Sequence, residues 1–113
     1  MKTLMNRVQL IGQPGNDPEI KSLENGNKVS NFDLATNENY KNGKGDKVTD
    51  TQWHRIVVWG PLADFTEKFV RKGEKIGLEG RLITRNYEGK DGNKKYVTEV
   101  VAHEIQLLHP KTA

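Results

Sequence analysis

Cysteine is absent from the 113 residues, which rules out disulfides, thiolate zinc sites and a cysteine nucleophile. Long hydrophobic runs are missing too, since no segment approaches the ~18 apolar residues of a membrane span. The opening MKTLMNRVQLIG has neither the apolar stretch nor the small-residue cleavage site of a secretory signal. These absences predict a soluble chain that works inside the cell, with no membrane partner. Apolar residues make up only 34%, yet the 11 glycines and the frequent short polar turns point to a small β-rich domain rather than to disorder. Its length allows one hydrophobic core, so residues 1–113 read as a single domain. Charge is weakly one-sided: 18 Lys and Arg against 15 Asp and Glu give +3, a mild preference for an anionic partner.

Apolar and β-branched runs between turn signals predict five strands and one helix. Strand one covers about Met5 to Ile11 and ends at GQPGNDP; strand two covers about Lys28 to Thr36. Residues 37–50, NENYKNGKGDKVTD, are polar and irregular, and read as a long mobile loop carrying Tyr40, Lys41, Lys44 and Lys47. Strand three is TQWHRIVVWG, residues 51–60. In PLADFTEKFVRKG, Leu62, Phe65, Phe69 and Val70 fall at helical spacing, with Pro61 suited to a first turn and Gly73 to a stop. Strand four runs from about Lys75 to Arg85 or slightly beyond, and a hairpin through EGKDGNK leads to strand five, about Lys95 to Leu108. The closing HPKTA reads as a frayed end. This order fits an all-β, five-stranded oligonucleotide/oligosaccharide-binding (OB) barrel with one helix between strands three and four. A sandwich or a one-helix roll is also compatible.

Side chains alternate across a strand. In strand three, Trp53, Arg55, Val57 and Trp59 share one face, while His54, Ile56 and Val58 share the other. In strand four, Ile76, Leu78, Gly80, Leu82 and Thr84 form a core face; Arg81, Ile83, Arg85 and, if the strand continues, Tyr87 lie opposite. From Arg81 to Tyr96 five basic residues outnumber two acidic ones, a local +3 that equals the charge of the whole chain. Exposed aromatics interleaved with Arg and Lys suit single-stranded nucleic acid, because phosphates need cations and unpaired bases need flat rings to stack on. Taken singly, a loop lysine is an ordinary solvated residue, and a strand tyrosine is ordinary packing; the combination carries the signal.

Enzymatic patterns are thin. HEIQL, residues 103–107, opens like a zinc-protease motif but has Leu107 where the second histidine belongs, and it reads as a strand. NGKGD lacks the spacing of a phosphate-binding P-loop, and no serine stands in a nucleophile elbow. No catalytic residue, metal site or cofactor is expected. A barrel adaptor that binds a protein through the same aromatic face, or a nuclease whose carboxylates meet only on folding, are the competing readings.

The succession NRVQLIG, NDPEIK, NGNKVSNFDLATNE, TQWHRIVVWG, LADFTEKFVRKGEKIGLEGRLITRNY and KYVTEVV resembles the bacterial single-stranded DNA-binding protein family from about Asn6 to Ile105. That resemblance implies OB-barrel subunits in a homotetramer, wrapped by single-stranded DNA without sequence preference. It also implies a cytoplasmic, nucleoid-associated role in replication, recombination and repair. It maps base stacking onto Tyr40, Trp53, Trp59 and Tyr87, phosphate contacts onto Arg7, Arg55, Arg85 and the loop lysines Lys41, Lys44 and Lys47, and a subunit interface onto His54. Tyr40 and Tyr87 stand where many members have tryptophan, and Trp59 where phenylalanine is common. Many cellular members continue into a Gly, Pro and Gln-rich linker with an acidic tip. This sequence ends at Ala113 with neither, so tail-recruited replication and repair partners are not expected of it.

Overall fold

The computed structural model describes residues 5–108; the HPKTA end expected to fray lies outside them. Its elements are β1 (Val8–Pro14), β2 (Glu19–Ser22), β3 (Lys28–Lys41), β4 (Lys47–Trp59), α1 (Pro61–Phe69), β5 (Ile76–Glu88) and β6 (Lys94–Leu107).

Five of the strands close on themselves. β1 pairs with β5, β5 with β6, β6 with β4, β4 with β3, and β3 returns to β1. Every pairing is antiparallel except β4 with β6, where Ile56 and Val57 run parallel to Val100 and Val101. Closure depends on β1, whose stretch from Val8 to Gly12 pairs with β5 and whose last residues, Gln13 and Pro14, pair with Ala35 and Leu34 of β3. The crossing sits at Gly12, where a Cβ would lie 2.1 Å from the Ala35 carbonyl oxygen. Only glycine lets the two backbones come so close. A second close approach is at Gly80, whose Cβ would lie 2.2 Å from the Val101 oxygen, where the β5–β6 register shifts past His103.

Strand alternation fills the barrel two residues at a time: Phe32 and Leu34, Ile56 and Val58, Ile76 and Leu78, Val100 and Ala102. α1 caps this core with Ala63, and Val70 follows just beyond the helix. The buried Thr66 hydroxyl lies 2.7 Å from both the Ser30 hydroxyl and the Ala63 carbonyl, which satisfies it inside an apolar surround. Phe65 and Phe69, two of the residues at helical spacing, pack on each other at 5.1 Å between centroids, and Phe69 is exposed. Small Ala63 and Thr66 let the helix sit close to the sheet, which leaves the larger rings at the flank.

Three expectations about the elements need correction, and Leu82 and Thr84, expected on the core face, are exposed beyond the β5–β6 register shift. Strand one lies three residues further along, at Val8–Pro14, because its far end is held by β3 rather than by apolar alternation. β2, unexpected from sequence, is a four-residue strand pairing Glu19–Ser22 with Lys28–Asn31. The largest change is at residues 37–50, which form the distal half of a continuous β3–β4 hairpin rather than a loop. Thr49 and Thr51 hydroxyls donate across the ribbon to the Asn39 and Asn37 carboxamides at 2.8 and 2.6 Å. Asn42 organises the turn by accepting from the Lys44 and Asp46 amides at 2.9 and 3.1 Å, and Gly45 supplies the left-handed φ of 82°. A ribbon that is wet on both faces shows no apolar alternation.

Candidate nucleic-acid interface

Cross-strand register assembles the candidate side chains on the barrel exterior. Trp59, Val57, Arg55 and Trp53 of β4 stand opposite Val29, Asn31, Asp33 and Ala35 of β3. Val57 is level with Val101 of β6, and Val101 with Arg81 of β5. The β4 row and the β5 row of Arg81, Ile83, Arg85 and Tyr87 therefore share one outer surface across three strands. Trp53 and Trp59 keep 61% and 51% of their surface exposed, although they flank the buried Ile56 to Val58. They are not a second packed layer.

The cations divide into two groups. Each of the three nominated arginines is already paired with a carboxylate: Arg7 with Glu79, Arg55 with Asp33 at 3.4 Å, and Arg85 with Glu99 at 2.8 Å. Glu99 is only 3% exposed, while its arginine reaches into solvent. The Glu99 hydrogen bond, reinforced by its charge, raises the Arg85 pKa above the ordinary arginine value. Arg85 uses its Nε and Nη2 edge on that carboxylate, which leaves Nη1 for an incoming anion. Arg81, Lys90, Lys94 and Lys95 of the β5–β6 hairpin have no ion pair within 4.0 Å among the described residues, nor do Lys41, Lys44 and Lys47 of the β3–β4 hairpin.

Not every nominated residue joins the same row. Tyr40 pairs with Val48 and is out of step with Trp53, whereas Lys41 and Lys47 are in step with it. Tyr40 still borders a shallow hollow with Asn39, Lys41, Lys47 and Thr49. His54 lies on the core side of β4 at the barrel rim, half-buried, with Nε2 3.0 Å from the Thr36 hydroxyl. Tyr96 was not singled out by sequence, yet it is the most exposed tyrosine at 68% and pairs with Asn86 on the reverse of the Tyr87 face. Its neighbours Lys94 and Lys95 were the available signal. Among the described residues, no group of three or more His, Asp or Glu side chains could hold a metal ion, and no helix is long and apolar enough to cross a membrane.

A closed five-stranded barrel capped by one helix, with exposed indoles and cations on its outer sheet, defines an OB-type nucleic-acid-binding module. More narrowly, the chain belongs to the single-strand binding protein family, whose model matches residues 5–108. It is 46% identical over 108 residues to single-stranded DNA-binding protein 1 of Chlorobaculum tepidum, covering 95% of this chain and 67% of that protein. It is 41% identical to single-stranded DNA-binding protein 1 of Xylella fastidiosa, covering 95% of this chain and 79% of that one. The single-stranded DNA-binding protein of Neisseria meningitidis serogroup A is 39% identical over 92% of this chain, which spans 60% of that relative. A solved Plasmodium falciparum SSB complex with ssDNA superposes with a TM-score of 0.85 at 33% identity, covering 96% of this chain and 98% of that one. The family is one of binding proteins, not enzymes.

Proposed function

We propose that this chain binds single-stranded DNA with little regard to sequence and shields it during replication, recombination and repair in the cytoplasm. The observation that carries this is the outer sheet face, where exposed Trp53 and Trp59 lie among Arg55, Arg81, Arg85 and Tyr87 on adjoining strands. Bases would stack on Trp53, Trp59, Tyr87 and Tyr40. Phosphates would meet Lys41, Lys44 and Lys47, together with the outward edges of Arg7, Arg55 and Arg85, whose carboxylate partners hold the guanidinium groups in place.

Self-association into a homotetramer is part of the same proposal. Over Val8–Gly12, β1 bonds β5 on one side only, which leaves an open edge that a second copy could pair with. Ile11 is 60% exposed beside a hollow of about 280 Å³ whose lining mixes Leu10, Leu78 and Leu108 with Gln9, Glu79 and Glu104. His54 at the rim is the histidine that the family resemblance maps onto a subunit contact.

Titration with oligo-dT, followed by tryptophan emission, tests the binding. Quenching is expected, with log K falling linearly against log salt by about 0.7 for each phosphate neutralised. An unchanged emission and no binding at low salt would refute the proposal.

A further inference from the structure

We propose that the notch beside Trp53 is a base subsite, in which the Asp33 carboxylate reads the donor edge of a stacked base and favours guanine over thymine. This rests on the single-stranded DNA reading above and adds a base preference at one position. The notch measures about 330 Å³ and is lined by Gly15, Asn16, Asp33 and Trp53.

Its walls are fixed by hydrogen bonds. Pro14 has no N–H with which to continue the β1–β3 ladder. The two residues after it take over: the Gly15 amide donates to the Asp33 carbonyl at 2.9 Å, and the Asp33 amide donates to Asn16 Oδ1 at 3.1 Å. The remaining carboxamide nitrogen of Asn16 donates to the Asp17 carbonyl at 2.9 Å. This tether lays Gly15 against the indole so closely that a Cβ there would lie 2.5 Å from the Trp53 ring. The ring is therefore braced on one side and open on the rest.

The Asp33 side chain is half-exposed, and its one ion-pair contact among the described residues, to Arg55, is long at 3.4 Å. Acceptor capacity is left over, and an ionised carboxylate can only accept. Guanine presents two adjacent donors, N1–H and N2–H₂, which match the two carboxylate oxygens. Cytosine and adenine each present one amino group. Thymine presents a single N3–H between two carbonyls, and both carbonyls are repelled by a carboxylate.

The test compares 15-nucleotide thymidine oligomers with ones in which every third base is guanine or hypoxanthine, in a lithium buffer at low salt. The guanine oligomer is expected to bind about three- to tenfold tighter than all-thymine. Hypoxanthine, which stacks as a purine but lacks the 2-amino donor, should fall between them. Asp33→Ala should erase the guanine over hypoxanthine difference and raise the all-thymine affinity, because a repelling charge has gone. Should Asp33→Ala fail to fold, Asp33→Asn preserves the shape and should lower the same ratio. Equal affinities in the unsubstituted protein, or a preference undiminished in both variants, would overturn the subsite while leaving single-strand binding intact. Failure to bind any oligomer would overturn the functional reading first, and the subsite with it.

Discussion

Trp53 contributes little to the core, so its removal separates binding from stability. Trp53→Ala should weaken oligo-dT binding by about 1–3 kcal/mol, roughly 5- to 150-fold in Kd, the usual worth of one stacked base. The urea midpoint should stay close to that of the unsubstituted protein; a large fall there would mean that the indole is structural after all. Arg85 and Arg55 make the opposite comparison. Arg85→Ala strands the nearly buried Glu99, whereas Arg55→Ala leaves a half-exposed Asp33 that water can solvate. Chemical denaturation should therefore show Arg85→Ala as the less stable variant, although each loses one cation from the face. Equal midpoints would show that water already reaches Glu99.

Among the elements, β1 illustrates how one residue shapes the fold. The backbone of Gly12 crosses from β5 to β3 with a carbonyl oxygen where any other residue would place its Cβ. Gly12→Ala must push β1 from β3, and a loss of at least about 1–3 kcal/mol is expected from such overpacking. A melting curve would check this, and an unchanged midpoint would mean that the barrel is not closed at that point. The two hairpins show a different division of labour. Their proximal halves supply Phe32, Leu34, Ile56, Val58, Leu78 and Val100 to the core, while their distal halves are exposed on both faces and carry Tyr40, Tyr87, Tyr96 and the lysines Lys41, Lys47, Lys94 and Lys95.

For the whole molecule, a radius of gyration of 16.3 Å exceeds the ~13 Å of a compact domain of about 100 residues, because the hairpins reach past the barrel. Such arms enlarge the surface available to a flexible polyanion without enlarging the core. The proposed assembly would add to that surface. Four chains of 12.8 kDa would give a particle of about 51 kDa by light scattering. Ile11→Glu, on the exposed face of β1, should shift that mass toward dimer or monomer while leaving the far-UV spectrum unchanged. A tetramer that persists in this variant would move the interface elsewhere.

Side-chain period was enough to foresee Ile56, Val58, Ile76 and Leu78 in the core, the helix after Gly60 and the Trp53, Arg55, Trp59 face, whereas Leu82, expected inside, is exposed beyond the β5–β6 register shift. Turn chemistry and two-residue periodicity are local properties, and the order of segments identified the family. Local pattern could not reveal that residues 37–50 are paired, since cross-strand threonine and asparagine bonds need no apolar stripe. Nor could it show that Gly12 turns β1 onto a second partner, or that carboxylates distant in sequence already hold Arg7, Arg55 and Arg85. Those features depend on which strands become neighbours, and only closure of the barrel decides that.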